Sequence, residues 1–493
     1  VQWSREKVFA WLRNISRSRL AKASHSGGSG QFVRGRYDAA ATTPDNRRHW
    51  SNADGLSASA ANSADVRRIL RNRSRYEVAN NSYARGIVLT LANDVIGTGP
   101  RLQLLTGDGE ANRRIEREFQ RWAQAIDLAG KLRTLRMAQT TDGEAFAVLI
   151  NNPALPTAIQ LDLQLVEAEQ VATPEAPHLS DHNAVDGIVL DGSGNAVEYH
   201  VLRSHPGDAV TVPGVEYDRV PAAAVIHLFR TDRPGQRRGV PEITPALPLF
   251  AMLRDYSLAT LDAAKAAAYF AGILYTDAPA NGEADAVEPL DEIQLDRNLL
   301  LTMPGGWKMS QLHAEHPSGT YADFKRELLN EIARCLNMPY NVAAANSSGY
   351  NYASGRLDHQ TYFKSIRVDQ SHLECRVLDR ILAAWLDEAV LIPDLLPAGL
   401  GPIADWPHQW FWDGHEHVDP AKEANAQATR LKSHTTTLAD EYARRGQDWE
   451  SQLRQRAAEL QLMKELGLAD VPPDDNASQD VEEDDAETVP TAA

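Results

Sequence analysis

Residues 336–364 read LNMPYNVAAANSSGYNYASGRLDHQTYFK. Small polar and aromatic residues lie here between two segments of helical periodicity. Upstream, TYADFKRELLNEIARCLN (320–337) is a helix that has to stop before Pro339, because the residue preceding a proline is driven out of the helical region. Downstream, 355–390 sets Tyr362, Ile366, Leu373, Val377 and Ile381 on one apolar face. A neutral loop containing Gly349 joins the two. It has the composition of an active-site loop, and equally that of a surface that makes contacts without chemistry.

Upstream of 320 the chain is mixed. Residues 64–96 carry Ile69, Tyr76, Tyr83, Ile87 and Leu91 at or near helical steps, with Ser63 as a candidate N-cap. GTGPRLQLL turns into a strand, and ANRRIEREFQRWAQA (111–125) is a helix with Ile115, Phe119 and Trp122 on one side. The next segment reads as a helix, a turn at Thr141-Asp142-Gly143 and a strand. Residues 158–230 alternate in short runs, best in AIQLDLQLVEA, GIVLDGSGNAVEYHVLR and AAAVIHLFR, with DGSGN as a hairpin turn. A long helix follows over 243–271, with Pro245 and Pro248 tolerable only in its first turns. GILYTD and NLLLTM are short strands in an acidic Pro/Ala/Gly stretch. WPHQWFW (406–412) packs aromatics densely, and 420–466 is helical with a turn at Arg445-Gly446. The body is therefore α+β.

With 493 residues the chain holds several structural units, and 43% hydrophobic residues suffice for a sizeable core. No uncharged apolar run reaches the length of a membrane span. VQWSREKVFAWLRNISRSRL lacks the apolar region and cleavage site of a signal peptide, so secretion is not expected. Cys335 and Cys375 sit in helical apolar patterns and read as buried free thiols. The net charge of −17 is uneven: residues 1–100 hold sixteen Lys and Arg against seven Asp and Glu, which is +9 and leaves −26 for the rest. The last 28 residues hold nine acids and no base. An acidic whole argues against gripping nucleic acid over the main surface, though not against letting a duplex slide past.

The motifs of chemistry are missing. His415-Glu416-His417, with His408 nearby, lacks the spacing of a helix-borne HExxH. Ser347, Ser348 and Ser354 have no nucleophile elbow, and Asp358 and His359 would point about 100° apart on a helix. No Gly-x-x-x-x-Gly-Lys-Ser/Thr phosphate loop occurs. What remains for the loop is contact through weak, exchangeable hydrogen bonds, or an ordinary surface connection.

The order of parts resembles bacteriophage portal proteins of the lambda type. The resemblance is carried by SADVRRILRNRSRYEVANNSYARGIVLTLANDVIGTGPRLQ (63–103), IHLFRTDRPGQRRGVPEITPAL (226–247), TYADFKRELLNEIARCLNMPYNVAAANSSGYNYASGRLDHQTYFKSIR (320–367) and VDPAKEANAQATRLKSHTTTLADEYARRGQDWESQLRQRAAEL (418–460). It covers about residues 35–467. It implies a portal fold with wing, helical stem, clip and crown, in a ring of about twelve subunits at one capsid vertex, of phage or prophage origin.

Laid over the sequence, the resemblance gives a flexible basic arm (1–40), an α+β wing (41–240), a stem helix (241–271), a clip (272–317) and a second stem helix (318–337). A tunnel loop (338–356), a wing return (357–417), a helical crown (418–467) and a disordered acidic tail (468–493) complete it. Double-stranded DNA would pass through the channel without sequence reading, driven by a separate terminase, so no enzyme activity and no cofactor or metal is expected. Partners implied are the terminase large subunit, then a head–tail adaptor, and the major capsid or scaffold protein, with no membrane. The ring would be assembled in the host cytoplasm, start capsid assembly and reside in the virion.

Asn346, Ser347, Ser348, Gly349, Tyr350 and Asn351 are the tunnel-loop candidates, although Tyr350 and Tyr352 suit packing on a neighbouring subunit equally well. Glu288, Asp291, Glu292 and Asp296 are clip acids for a basic partner, and Arg237 and Arg238 are candidates for pairing across subunits. About twelve copies at −17 make a ring of about −200, which repels the phosphate backbone before screening. Two other classes compete: a hydrolase or metalloenzyme using the 346–354 loop or the 408–417 histidines, and a basic-armed nucleic-acid scaffold.

Overall fold

The computed structural model describes residues 44, 47–173, 184–208, 216–269, 273–276, 307–310, 320–349, 351–396, 406–414 and 420–468. Residues 1–56 form one unit and 57–493 a second. The first shows a turn in which the Ala53 amide donates to the Trp50 carbonyl at 3.1 Å. The arm, the four clip acids, Tyr350, His415–His417 and the acidic tail from 469 onward lie outside the described residues.

The second unit begins with α1 (Ala58–Ala61), α2 (Ala64–Asn80) and α3 (Ser82–Ile96). The periodicity over 64–96 is thus divided in two. Asn81 takes extended backbone angles and its side chain accepts from the amides of Tyr83 and Ala84, starting a new helix. Ser63 stands at the N-cap of α2 without a side-chain cap bond.

The buried face of α2 also differs from the expectation. Ile69 and Tyr76 are 46% and 56% exposed, while Arg67, Arg71, Ser74 and Glu77 point inward. The reason is ionic: Arg71 meets the buried Glu144, and Glu77 meets Arg254. α3 follows ordinary rules and buries Ala84, Ile87, Val88, Leu91, Ala92, Val95 and Ile96.

After β1 (Arg101–Leu104) comes α4 (Gly109–Ala125), capped by Asp108, whose carboxylate accepts from the Glu110 and Ala111 amides. Ile115, Phe119 and Trp122 are buried at helical spacing, each contributing roughly 1.5–3 kcal/mol. The Trp122 indole donates to the Leu161 carbonyl at 2.7 Å. α5 (Leu128–Asp142) ends at Gly143 in the left-handed region, and β2 (Glu144–Asn151) starts at once.

β2 is the centre of an antiparallel sheet with β3 (Leu161–Val166) and β8 (Val225–Phe229). A four-stranded antiparallel sheet holds β4 (Ala184–Val185), β5 (Ile188–Leu190), β6 (Ala196–Leu202) and β7 (Tyr217–Pro221) in sequence order. The β5–β6 turn is the expected one: Asp191 Oδ1 accepts from the Ser193 and Asn195 amides. Strand alternation divides two cores. Ala145, Ala147, Ile226 and Leu228 face the large helical core, and Phe146 and Val225 face a smaller one with Val171, Ile188 and Tyr199.

A 3₁₀ turn at Thr244–Ala246 opens α6 (Leu247–Tyr269). β9 (Ile273–Thr276) pairs antiparallel with β10 (Trp307–Ser310), whereas the strand expected in NLLLTM lies outside the described residues. α7 (Thr320–Arg334) and the short α8 (Tyr340–Ala343) lead to the loop. The helix expected over 355–390 is α9 (Tyr352–Leu373), a π turn (Glu374–Leu378) and α10 (Asp379–Ala389).

Tyr362, Ile366, Leu373, Val377 and Ile381 are all buried, as the periodicity implied. The wide turn sets Glu374 and Asp379 five residues apart over β11 (His408–Phe411), which pairs with β1. There Glu374 accepts from the Trp412 indole at 2.6 Å and Asp379 from the Trp410 indole at 2.9 Å. On this segment Cys375 is exposed, against the expectation of burial, because Val377 and Leu378 occupy the inner face. Cys335 is partly buried, and burial pushes its thiol up to about 11.

α11 (Pro420–Lys432), α12 (Leu438–Ala443) and α13 (Trp449–Glu465) follow, with a second break at 433–437 beside the expected one at Arg445-Gly446. Among the described residues no helix is long and apolar enough to cross a membrane.

Candidate functional site

The loop between α7 and α9 is exposed at its tip and fixed at its base. The chain leaves α7 through Asn337 at φ +54, where the Met338 amide donates to the Ala333 carbonyl at 3.2 Å. Ala345 (φ +50) and Gly349 (φ +82) turn the chain on either side of the tip. Between them the Asn346 amide donates to the Asn341 carbonyl at 3.0 Å, and Asn346 Oδ1 accepts from the Ser348 amide at 2.9 Å. Asn351 closes the loop by capping α9, its Oδ1 accepting from the Ser354 amide at 2.8 Å. Ala345, Asn346, Ser347, Ser348, Gly349 and Asn351 are exposed. From 335 to 355 there is no Asp, Glu, Lys, Arg or His.

The base is bonded on both sides. Asn341 Nδ2 lies 2.8 Å from His359 Nε2, and the His359 ring meets Phe363 edge-on. One turn on, the buried Tyr362 hydroxyl donates to Asp94 of α3 at 2.7 Å; burial and that carboxylate raise its pKa. Gln370 donates to the Val95 carbonyl at 3.0 Å. Arg136 of α5 is buried and joins Glu242 at 2.9 Å to Asp369 of α9 at 2.8 Å. Burial opposes its charge, but the two carboxylates prevail and raise its pKa. α6 is tied in likewise, Arg254 donating to both oxygens of Glu77 at 2.7 and 2.8 Å.

The second polar constellation is a buried hub around Glu144, and sequence reading missed it. The Glu144 carboxylate is fully buried and accepts from Arg71, from Arg238 at 2.7 and 2.8 Å, from the Gly239 amide at 3.0 Å and contacts His227 Nε2 at 3.1 Å. Burial alone would raise its pKa. The charge of Arg238, hydrogen bonds from His227 and Arg238, and the charge of Arg71 hold it well below the ordinary value.

Arg238 is 3% exposed, and its other guanidinium donors reach the carbonyls of Ala168, Val171 and Asp186. All five of its donors are therefore satisfied inside the chain. This corrects the expectation that Arg238 is free to pair across subunits; Arg237 beside it is exposed. His227, stacked on Phe146 and Phe229, has its pKa lowered by burial, and a neutral ring with its proton on Nε2 serves both Glu144 and the Tyr199 hydroxyl. The one signal available was the polar run Arg67, Arg71, Ser74, Glu77, which has helical spacing as regular as the apolar one beside it.

No catalytic set assembles among the described residues at the loop. His359 Nε2 faces Asn341, and the Ser354 hydroxyl donates to the Asn351 carbonyl at 3.3 Å and not to a base. His408 contacts Asp379 at 3.2 Å. Glu167, Glu169 and His205 converge as a metal ion would require, but the Arg75 guanidinium already lies 3.5 Å from Glu167 and 3.0 Å from Glu169. A protein cation takes the place of a metal ion.

Residues 45–370 match the family model described as phage portal protein, lambda family. Among curated proteins, the "Probable portal protein" of Halomonas phage phiHAP-1 is 27% identical over 432 residues, 81% of each chain. Portal protein B of Escherichia phage lambda is 20% identical over 447 residues, 79% of this chain and 83% of that one. Among solved structures, a chain in the neck of an empty gene transfer agent particle aligns over 72% of this chain and 86% of its own, at 14% identity and TM-score 0.45. With two thirds of its length inside the family model, the chain belongs to the lambda family of phage portal proteins.

Proposed function

We propose that the chain is one subunit of a closed ring of about twelve copies at a single capsid vertex, around a channel through which double-stranded DNA enters during packaging and leaves during ejection. In this reading 41–240 and 357–417 form the wing and 241–271 and 318–337 the stem. Residues 272–317 are the clip, where terminase and then a head–tail adaptor dock. Residues 418–467 make the crown, and Asn346–Asn351 line the narrowest part of the channel. The assembled ring also meets the capsid or scaffold protein and starts shell assembly in the host cytoplasm.

The observation that carries the reading is the loop's chemistry. Residues 335–355 have no ionisable side chain of the acidic, basic or imidazole kind, on a base fixed to α3 and α5. A ring of cations at a constriction would hold phosphates, and a ring of anions would oppose entry. Amides and hydroxyls instead exchange hydrogen bonds with a moving duplex. The net charge of −17 per subunit fits passage without adhesion. Bond breaking to drive the DNA falls to the separate motor.

Deleting Asn346–Asn351 tests this. The expected result is a ring of unchanged mass that packages or retains no DNA. Normal packaging by the deleted ring would overturn the assignment of the loop.

A further inference from the structure

Two exposed helix faces of this chain carry charge of opposite sign that the described residues do not pair. On α7, Glu327 and Glu331 stand one turn apart on the rim of a cleft of about 810 Å³ floored by Leu249 and Leu328. Phe324 lines the same cleft and is 53% exposed. Two cations also line it: Arg230 is paired with Asp232 at 2.7 Å, while Arg334 donates to the neutral Asn337 amide at 3.1 Å and keeps its charge. Glu327 and Glu331 together outweigh Arg334, so the charge left at the rim is net negative.

On α9 the outer face is net positive, with Asp358 as its one exposed acid. Arg356, Lys364 and Arg367 are exposed, with no hydrogen bond or ion pair from their side chains to the described residues. Leu357 and Val368 lie among them, 66% and 63% exposed. Leu357, Thr361, Lys364 and Val368 follow steps of four, three and four, which is a single stripe on a helix. Large apolar side chains so exposed, interleaved with unpaired cations, mark a contact surface more than a solvated one. The lengths agree: Phe324–Arg334 spans ~15 Å and Leu357–Val368 ~16 Å along their helix axes.

We propose that the Leu357–Val368 face of α9 in one copy docks into the α6–α7 cleft of the next copy, with Lys364 and Arg367 against Glu327 and Glu331 and the exposed apolar side chains against Phe324 and the cleft floor. The two patches differ, so the contact is head-to-tail, the kind that closes into a ring when the rotation permits. It also places the loop between α7 and α9 immediately beside the subunit boundary. The inference rests on the ring reading above and names the surfaces that build the ring.

Charge reversal in the full chain tests it. Glu327→Lys with Glu331→Lys, and separately Lys364→Glu with Arg367→Glu, shift the mass by light scattering from ring to monomer or short oligomer. All four reversals together restore the ring, which separates lost contact from lost folding. In a Cys335→Ser, Cys375→Ser background, Glu331→Cys with Lys364→Cys gives a ladder of covalent multimers on oxidation. Rings of unchanged mass in both paired reversals, or a ring without a ladder, overturn the interface and leave the ring reading intact. A wild-type chain that stays monomeric with scaffold protein present removes the ring reading and this interface together.

Discussion

The surroundings of Glu144 and the tip at Asn346–Asn351 are both polar, and they use polarity in opposite ways. Around Glu144, charges are buried and every donor of Arg238 has an acceptor in the same chain. At the tip there is no charge, the described side chains are exposed, and their internal bonds only shape the turn. The first arrangement fixes the segment leading to α6 against the sheet. The second leaves donors and acceptors for something outside the chain. Two glycines make the same contrast. Gly143 and Gly349 both have positive φ, but a Cβ on Gly143 would lie 2.3 Å from the Val240 carbonyl carbon, whereas one on Gly349 would meet nothing within 4 Å.

The sharpest way to break the contrast is at the hub. Arg238→Ala leaves a buried carboxylate short of its main partner and is expected to cost about 3–5 kcal/mol, read by chemical denaturation. Gly143→Ala is expected to cost on the order of 3 kcal/mol, since the close approach to Val240 adds to the strained φ. Asn81→Ala, which removes the cap between α2 and α3, is expected to cost about 1 kcal/mol. At the tip, Gly349→Ala costs about 1 kcal/mol for the left-handed backbone alone, and Ser347→Ala changes stability by less than about 0.5 kcal/mol. A tip substitution as damaging as Arg238→Ala would show that the loop is part of the packed body.

The hub also predicts a pH response that the loop lacks. Glu144 and His227 both have folded-state pKa values below the ordinary 4.5 and 6.5, so the unfolded chain binds protons that the hub refuses. The stability due to His227 is full above about pH 6.5 and declines as pH falls through its folded value; that due to Glu144 is full above about pH 4.5 and is lost below. Tm measured from pH 7 downward should fall, and His227→Gln should flatten the upper part of the decline. A wild-type profile independent of pH between 7 and 4 would contradict the hub's charge state.

Much of this was legible in the sequence where apolar spacing and local chemistry agree. The faces of α4 and α9, the Asp191–Asn195 turn and the stop before Pro339 follow from residues within a few positions of each other. The α2 face was misread because periodicity ranks Ile69 and Tyr76 above arginines, and the buried arginines have partners 70 residues and more away. The π turn was invisible for the same reason: its use appears only when Trp410 and Trp412 come beside Glu374 and Asp379. The neutral character of the loop was readable directly, but its anchorage through Asn341, His359 and Tyr362 was not.

The most direct test of the account is the mass and rotational symmetry of the purified full chain, by light scattering and negative-stain imaging. The account predicts rings of about twelve subunits with an axial hole. A chain that remains monomeric or dimeric, with scaffold protein present and at high concentration, would contradict it.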